Sequence, residues 1–463
     1  MSNDMDKTAL RSALADYASG RELPRPQIAV RRAKLRGFAR TLGAAKAEVY
    51  AALTADLNRD AAETLLAELV PLLDIIRFLA AKLSRLLKPT RLPWSFATFP
   101  ARSELVREPY GRVLVVSTWN YPLLLALEPA LGAFAAGNRV ILKLSPRAPH
   151  TNALIHRLLR QDFSSDEILL IDDELSLPEL LKYRYDYIFL TGSTNTGRAV
   201  LRAAAEHCTP VTLELGGKNP CVVAPGADLK IAARRIVWGK FFNAGQSCAA
   251  PDHLLVHRDI RDKLMNFISS EIRRMYGDHP LDNGKFPAMP DRAAYERARQ
   301  LASGGRLLHG GDLDPERFAV EPTVIDRIDP DSPLLREEVF APLLPVLEYS
   351  NETELLHRLR TQEKPLALYC FGGSRDLRRA LREDVSAGAV VFDDVMIHFS
   401  NMHIPFGGVG ASGFGAYHGT RTLTTFIHEK PVVRQWKFLD LPLRYPPHSR
   451  FFRRLVEWFR HVR

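Results

Sequence analysis

The stretch Tyr187-Ile188-Phe189-Leu190-Thr191-Gly192-Ser193-Thr194-Asn195-Thr196-Gly197 changes character at Gly192. Four apolar residues there fit a strand buried on both faces, and Arg198 to Ala205 beyond the turn is a good helix. A helix N-terminus beside glycine presents amide hydrogens and a positive dipole end, which suits a pyrophosphate. An ordinary strand-to-helix turn accounts for the six residues from Gly192 to Gly197 equally well. The standard dinucleotide fingerprint wants a second glycine where Thr194 stands and an acid about twenty residues on, and this segment supplies neither.

Working outward, Val113-Leu114-Val115-Val116 and Arg139-Val140-Ile141-Leu142 repeat the short apolar run, with helical patterns between them. This is the signature of buried parallel strands, so a doubly wound sheet is expected. A second alternating series follows Leu215: Cys221-Val222-Val223, a helix near Ile231 to Phe242, Leu254-Leu255-Val256, and a helix from Ile260 to Tyr276. A chain of 463 residues exceeds what one core usually serves. The fold class is therefore α/β, with two doubly wound domains and the catalytic segments at their seam. The apolar run Val113 to Gly137 is broken by Asn120, Pro122, Glu128 and Pro129, so it reads as core and not as a membrane span.

From Pro24 to about Leu87 the spacing predicts helices, with an apolar stripe of Leu65, Leu66, Leu69, Leu72, Leu73 and Ile76. Lys88-Pro89-Thr90-Arg91-Leu92-Pro93 ends them, because proline lacks an amide hydrogen and clashes with the preceding turn. Phe96, Phe99 and Leu105-Val106-Arg107 then suggest an extended hairpin before Pro109-Tyr110-Gly111.

Chemistry enters with Glu214-Leu215-Gly216-Gly217-Lys218 and, further on, Phe242-Asn243-Ala244-Gly245-Gln246-Ser247-Cys248. A thiolate is a strong nucleophile, but a free thiol titrates near ~8.5, so the site must either lower that pKa or lend a base, for which Glu214 is the candidate. Residue type alone makes Cys248 one more small buried hydrophobe. Gly245, Gln246 and Ser247 argue otherwise, being polar or permissive where a core strand would carry Val or Ile.

These two segments resemble the signature words of the aldehyde dehydrogenase superfamily. Thr118-Trp119-Asn120-Tyr121-Pro122, Thr209 to Leu213, Trp238 to Phe241 and Tyr417-His418-Gly419 are similar to its class 3 branch, which includes fatty and aromatic aldehyde dehydrogenases. The resemblance implies Cys248 as nucleophile, Glu214 as the base that hydrolyses a thioester, and Asn120 with the Cys248 N–H as oxyanion donors. It also implies an NAD or NADP cofactor held by Thr118, Trp119, Lys143, Gly192, Ser193, Gly197, Leu215, Gly216, Glu338 and Phe340. Lys218 is read as positioning Glu214 or facing solvent, and Phe406, beside Ile404, as near the aldehyde channel. Pro405 to Gly413 is glycine-rich, yet no strand-helix pair brackets it, so it is not read as a phosphate cradle.

Where the family carries Lys-Pro-Ser-Glu, this chain reads Lys143-Leu144-Ser145-Pro146-Arg147. The acidic ribose clamp is absent and a cation lies next door, which predicts use of both NAD and NADP. Ala341 stands where the family usually has glycine. The implied partition is 1–85 and 108–214 for NAD(P) binding, 215–415 for catalysis, and 86–107 with 416–435 as an oligomerisation arm of a homodimer.

Net charge is +10, but the arginines are dispersed and accompany no nucleic-acid-binding motif, so nucleic acid is not an expected partner. Four cysteines without a CxxC pair fit a reducing compartment, no metal site is assigned, and residues 1–20 contain no signal or transit pattern. Cytoplasm is the default expectation. In 436–463, Phe451, Phe452, Leu455, Val456, Phe459 and Val462 fall on one helical face with arginines opposite, the form of a segment lying on an anionic membrane; docking on the protein itself or a partner subunit is the equal alternative. Arg444-Tyr445-Pro446-Pro447 resembles the tail entrance of fatty aldehyde dehydrogenases. Two other functions share some features: an acyl-thioester reductase, which needs no hydrolytic base, and a silent membrane-surface scaffold, which would not keep the active words.

Overall fold

The computed structural model describes residues 11, 12, 14, 26–95, 98–282, 284–439 and 445–460. They form two compact units: Met1–Leu86 with Pro109–Ile427, and Leu87–Glu108 with His428–Arg463.

In the smaller unit β1 (Thr90–Arg91) and β2 (Arg102–Pro109) pair antiparallel, and β18 (Ile427–Arg434) lies on the other side of β2. The expected hairpin is present; Phe96 lies outside the described residues. Residues 416–427 pack within the larger unit, so the structural break falls after Ile427 and not at 416. The cause is local: the short helix Arg421–Thr424 buries Thr422 and Leu423 and lies against the helix Leu124–Ala136.

The first sheet of the larger unit contains β3 (Arg112–Val116), β4 (Arg139–Lys143), β5 (Ile168–Ile171), β6 (Tyr187–Gly192), β7 (Val211–Leu215) and the edge strand β17 (Gly413–Phe414). Its order is β17-β7-β6-β3-β4-β5, parallel except for β17. Connections run outward from β3 in both directions, so the sheet is doubly wound with its switch point between β3 and β6. Between β3 and β4 the helix Leu124–Ala136 is buried over all 13 residues, which confirms the long apolar run as core. Gly137, at φ 102, ends it in the left-handed conformation that glycine adopts without strain.

The second sheet is built from β8 (Pro220–Val223), β9 (His253–His257), β10 (Arg306–His309), β13 (Thr323–Asp326), β14 (Leu343–Tyr349), β15 (Ala367–Phe371) and β16 (Ala389–Phe392); β11 (Leu313–Asp314) and β12 (Ala319–Val320) form a separate ribbon. Its order is β10-β13-β14-β9-β8-β15-β16, parallel apart from β10. The helices Leu229–Phe241 and Arg261–Tyr276 cover one face, where Ile236, Val237, Leu264 and Ile268 are fully buried; each such side chain contributes roughly 1.5–3 kcal/mol.

At the N-terminal side, helices Ile28–Ala44, Lys46–Leu57 and Val70–Leu86 form as the spacing predicts. The stripe breaks at one place: Leu65–Leu69 is a π-turn, and its extra residue rotates Leu66 to 65% exposure while Leu69 is buried.

Candidate active site

At the switch point the carboxyl ends of β3 and β6 part, and a cleft of about 880 Å3 opens. Thr118, Trp119 and Asn120, just past β3, form one wall, and Gly192 and Ser193, at the end of β6, form another. Glu214, Leu215 and Gly216 enter from β7, and Cys248, Glu338 and Phe340 come from the second sheet's side.

Cys248 is held by its loop. After the helix Leu229–Phe241, Asn243 and Ala244 adopt left-handed φ values of 52° and 51°, and Gly245 follows at 72°. A Cβ on Gly245 would stand 2.4 Å from the Ala341 carbonyl, so only glycine permits this approach. The loop's polar residues satisfy carbonyls in the loop and in the segments packed on it. Asn243 Nδ2 donates to Asn120 O at 3.0 Å, and Gln246 Nε2 to Asn243 O and Ala288 O, both at 3.1 Å. The Tyr369 hydroxyl donates to Ala249 O. Asn120 donates one amide hydrogen to Gln246 O at 3.0 Å.

Burial first, then the Glu338 and Glu214 carboxylates, pushes the Cys248 thiol up to about 12. The thiol therefore needs a base at hand. Glu214, 4% exposed, has no hydrogen-bond partner on either carboxylate oxygen among the described residues. Burial, and secondarily Glu128, raises its pKa well above the ordinary range. A carboxylate so destabilised is a strong proton acceptor. Glu338 is raised to about 7, again by burial first and then by Asp252.

The cleft's residues suit a nicotinamide dinucleotide. Ser193 caps the helix Thr194–Ala205 by accepting from Thr196 N at 3.2 Å, and Ser193, Thr194, Asn195 and Arg198 of this positive end line the cleft. Gly216 is a cradle: a Cβ there would meet the Glu338 carboxylate at 2.2 Å. Trp119 and Phe340 stand edge to face, centroids 5.7 Å apart, and Phe340 sits at a left-handed φ of 46°. Such strain persists only where neighbours impose it. Here Arg297 donates to Glu338 O at 2.7 Å and Val339 O at 2.9 Å, and Asp252 accepts from Val339 N at 2.7 Å.

A second cavity, apolar and about 210 Å3, meets the cleft at Cys248, the one described residue lining both. Tyr121, Trp238, Phe242, Phe399, Phe406 and Tyr417 wall it, with Leu66 and Ala67 of the π-turn contributing. Phe406 is part of this wall, whereas its neighbour Ile404 is 37% exposed and is not.

Three expectations change. Lys218 does not reach Glu214: its ammonium donates to Asp252 Oδ2 at 2.6 Å and to Leu334 O and Glu337 O at 2.8 Å, tying down the loop that carries Glu338. Gly197 lies off the cleft; a Cβ on it would come within 3.0 Å of Leu215 Cδ1, so it lets the helix close onto β7. Lys143 ends β4 as expected but is absent from the cleft wall, and burial lowers its pKa against the opposing pull of Asp173, Asp172 and Glu174. Arg147 lines the cleft and is engaged, pairing with Asp291 at 2.9 Å while lying 5.9 Å from the Trp119 ring centroid. Arg198, Arg297 and Met289 of the cleft wall were missed, since isolated arginines in a chain rich in them carry no signal.

A half-buried thiol and an unpartnered carboxylate line a cleft at the switch point of a doubly wound sheet, the place where open α/β folds bind dinucleotides. The model of the aldehyde dehydrogenase family matches residues 3–432, and the chain belongs to that family. It is an NAD(P)-dependent aldehyde dehydrogenase.

Among curated relatives it is similar to aldehyde dehydrogenase family 3 member H1 of Arabidopsis thaliana, 38% identical over 89% of this chain and 86% of that protein. It is also similar to aldehyde dehydrogenase family 3 member A2 of Mus musculus, 35% identical over 96% of this chain and 92% of that one. The substrate-bound structure of Staphylococcus aureus AldH superposes with a TM-score of 0.92 at 32% identity, covering 97% of this chain and 99% of that chain.

Proposed function

We propose that Cys248 Sγ attacks the carbonyl carbon of an apolar aldehyde whose tail lies in the aromatic-walled cavity. The thiol proton leaves to a carboxylate, Glu214 by its basicity, and the aldehyde oxygen becomes an oxyanion. The Asn120 amide and the Cys248 N–H stabilise it; loss of one such donor typically costs about 10²- to 10³-fold in rate. A bound oxidised nicotinamide dinucleotide supplies the acceptor for the hydride released when the carbonyl carbon is oxidised. Once it has released the thiol proton to solvent, Glu214 takes a proton from water as the water oxygen adds to the thioester carbon; the C–S bond then breaks, the sulfur leaves as thiolate, and the carboxylic acid departs. Thr118, Trp119, Gly192, Ser193, Leu215, Gly216, Glu338 and Phe340 hold the cofactor, and Lys143 and Gly197 support the strands and helix that shape its site.

The observation that carries this reading is the position of Cys248, alone among the described residues in lining both a cleft of dinucleotide size and an apolar cavity. Medium- or long-chain aliphatic and aromatic aldehydes are the substrates such a wall suits. The test is a panel of these aldehydes with NAD or NADP, run beside Cys248→Ala: reduced cofactor from the wild type alone supports the reading, and equal turnover by the variant refutes it. Acyl-CoA with reduced cofactor addresses the reductase alternative, which Glu214 disfavours.

We further infer that 1–85 with 108–214 form the cofactor domain and 215–415 the catalytic domain, and that 86–107 with the strand β18 pairs copies into a homodimer. Trp436 and Phe438, 52% and 98% exposed, and the outward side chains of β18 support an interface there. The helix Arg450–Arg460, with Phe451 71% and Trp458 59% exposed, fits contact with an anionic membrane. The side chains of Leu455, Val456 and Phe459, and Val462 itself, lie outside the described residues. Among those described, no helix is long and apolar enough to cross a membrane. Co-sedimentation with anionic liposomes, with and without residues 449–463, decides the matter: equal binding by both forms removes the proposal.

A further inference from the structure

Arg59 and Glu68 form an ion pair with both side chains fully buried. Arg59 spends every face of its guanidinium: one amino group on Glu68, the other on the Asn120 carbonyl, and Nε on Asn243 Oδ1 at 3.1 Å. Its plane also lies 4.9 Å from the centroid of the Tyr121 ring. The second oxygen of Glu68 accepts from Leu123 N at 2.8 Å and Leu124 N at 3.0 Å, at the start of the helix Leu124–Ala136.

Burying two charges is costly, and an apolar pair of similar volume is often at least as stable, so stability alone does not explain this pair. What it does is join four pieces of the site. Asn120 carries the oxyanion donor, Asn243 belongs to the Cys248 loop, Tyr121 walls the apolar cavity, and Glu68 sits in the π-turn whose Leu66 and Ala67 line that cavity. π-turns recur at functional sites because the extra residue re-aims side chains at a cost the helix would otherwise avoid.

We propose that Arg59 and Glu68 are a positioning pair for the oxyanion donor: by gripping the Asn120 backbone they hold its side-chain amide where negative charge develops on the aldehyde oxygen. The proposal rests on the reading of Cys248 and Asn120 above, and it extends the catalytic apparatus by about sixty residues toward the N-terminus.

The experiment compares Arg59→Lys, Asn120→Ala and the double variant by rapid-mixing measurement of the cofactor-reduction burst, followed by the steady state. Arg59→Lys keeps the charge but loses the fork that reaches three partners at once. The burst rate is expected to fall about 10- to 100-fold, and deacylation, which forms an oxyanion at the same oxygen, to slow as well, with aldehyde KM changed less than about threefold. The double variant is expected to be no slower than Asn120→Ala, since both remove the same stabilisation. Fully additive losses, or an unchanged burst with only a lower Tm, would overturn the proposal. Should Arg59→Lys not fold, Arg59→Met/Glu68→Leu decides, because it leaves no buried charge alone: a wild-type burst in it overturns the proposal, and a slowed burst supports it. An undiminished burst in Asn120→Ala itself would instead refute the reading of the site.

Discussion

The side-chain amide of Asn219 donates to the carbonyl of Cys248 at 2.7 Å. The same amide reaches Ala250 O at 3.0 Å, while its oxygen accepts from Ala367 N at 3.0 Å. One residue, next after the Glu214 to Lys218 word, thus ties the Cys248 loop to strand β15. Asn219→Ala strands two buried backbone groups and a part-buried third, each costing about 1–3 kcal/mol when unsatisfied. Chemical denaturation is expected to show a loss of about 3 kcal/mol or more, with kcat reduced at temperatures where the variant is still folded; unaltered stability would contradict the assignment.

Lys218 acts on the cofactor side. Lys218→Met removes two hydrogen bonds from the loop carrying Glu338 and leaves Asp252, which Lys218 holds well below the usual carboxylate range against the effect of burial, without its main partner. The cofactor KM is expected to rise about tenfold or more, as for loss of a charge-assisted bond, with aldehyde KM little changed. Steady-state kinetics with each substrate varied in turn checks the split.

Glu214 should report itself through pH. Its folded pKa is raised, so hydrolysis of the thioester grows as pH climbs through that value. Glu128→Gln removes the second cause of the shift, lowers the Glu214 pKa, and moves the rising limb of the deacylation rate toward acid. Single-turnover measurements across pH test the direction; a limb that stays or moves toward alkali rejects it.

The same shift bears on stability. A carboxyl whose folded pKa lies above its unfolded value binds more protons in the folded state, so its contribution falls as pH rises from the ordinary carboxylate range toward the folded pKa. Glu214→Gln lacks that decline. Its Tm relative to the wild type is expected to increase from pH 5 to pH 8 while turnover stops at the acyl-enzyme, an exchange of stability for function.

Leu66 tests the apolar cavity. It is 65% exposed yet lines the wall, so Leu66→Lys leaves the fold intact and puts a charge where an alkyl chain would rest. For long-chain aldehydes kcat/KM is expected to fall about tenfold, with acetaldehyde nearly unaffected, because a few methylenes of apolar contact are worth roughly 1–3 kcal/mol. Chain-length profiles of the two proteins decide it.

Short apolar strand runs, the break at Lys88 to Pro93 and the helices around them were all legible from local pattern. Local pattern sufficed because strand burial on both faces, proline geometry and glycine-rich turns are properties of a few consecutive residues. The π-turn at Leu65–Leu69 was not legible, since its leucines keep a helical stripe on paper while one inserted residue turns Leu66 outward.

Lys218, Gly197 and Lys143 show what only the tertiary structure decided. The partner of Lys218 is Asp252, Gly197 is required by the approach of Leu215, and the charges around Lys143 come from the segment after β5. The buried grip of Arg59 on Asn120 belongs to the same class. A residue's type limits what chemistry it can do, and that is written along the chain; which of its options it exercises depends on groups that folding brings within a few ångströms from distant positions, and hydrogen bonds and Coulomb forces at that range leave no mark on sequence spacing.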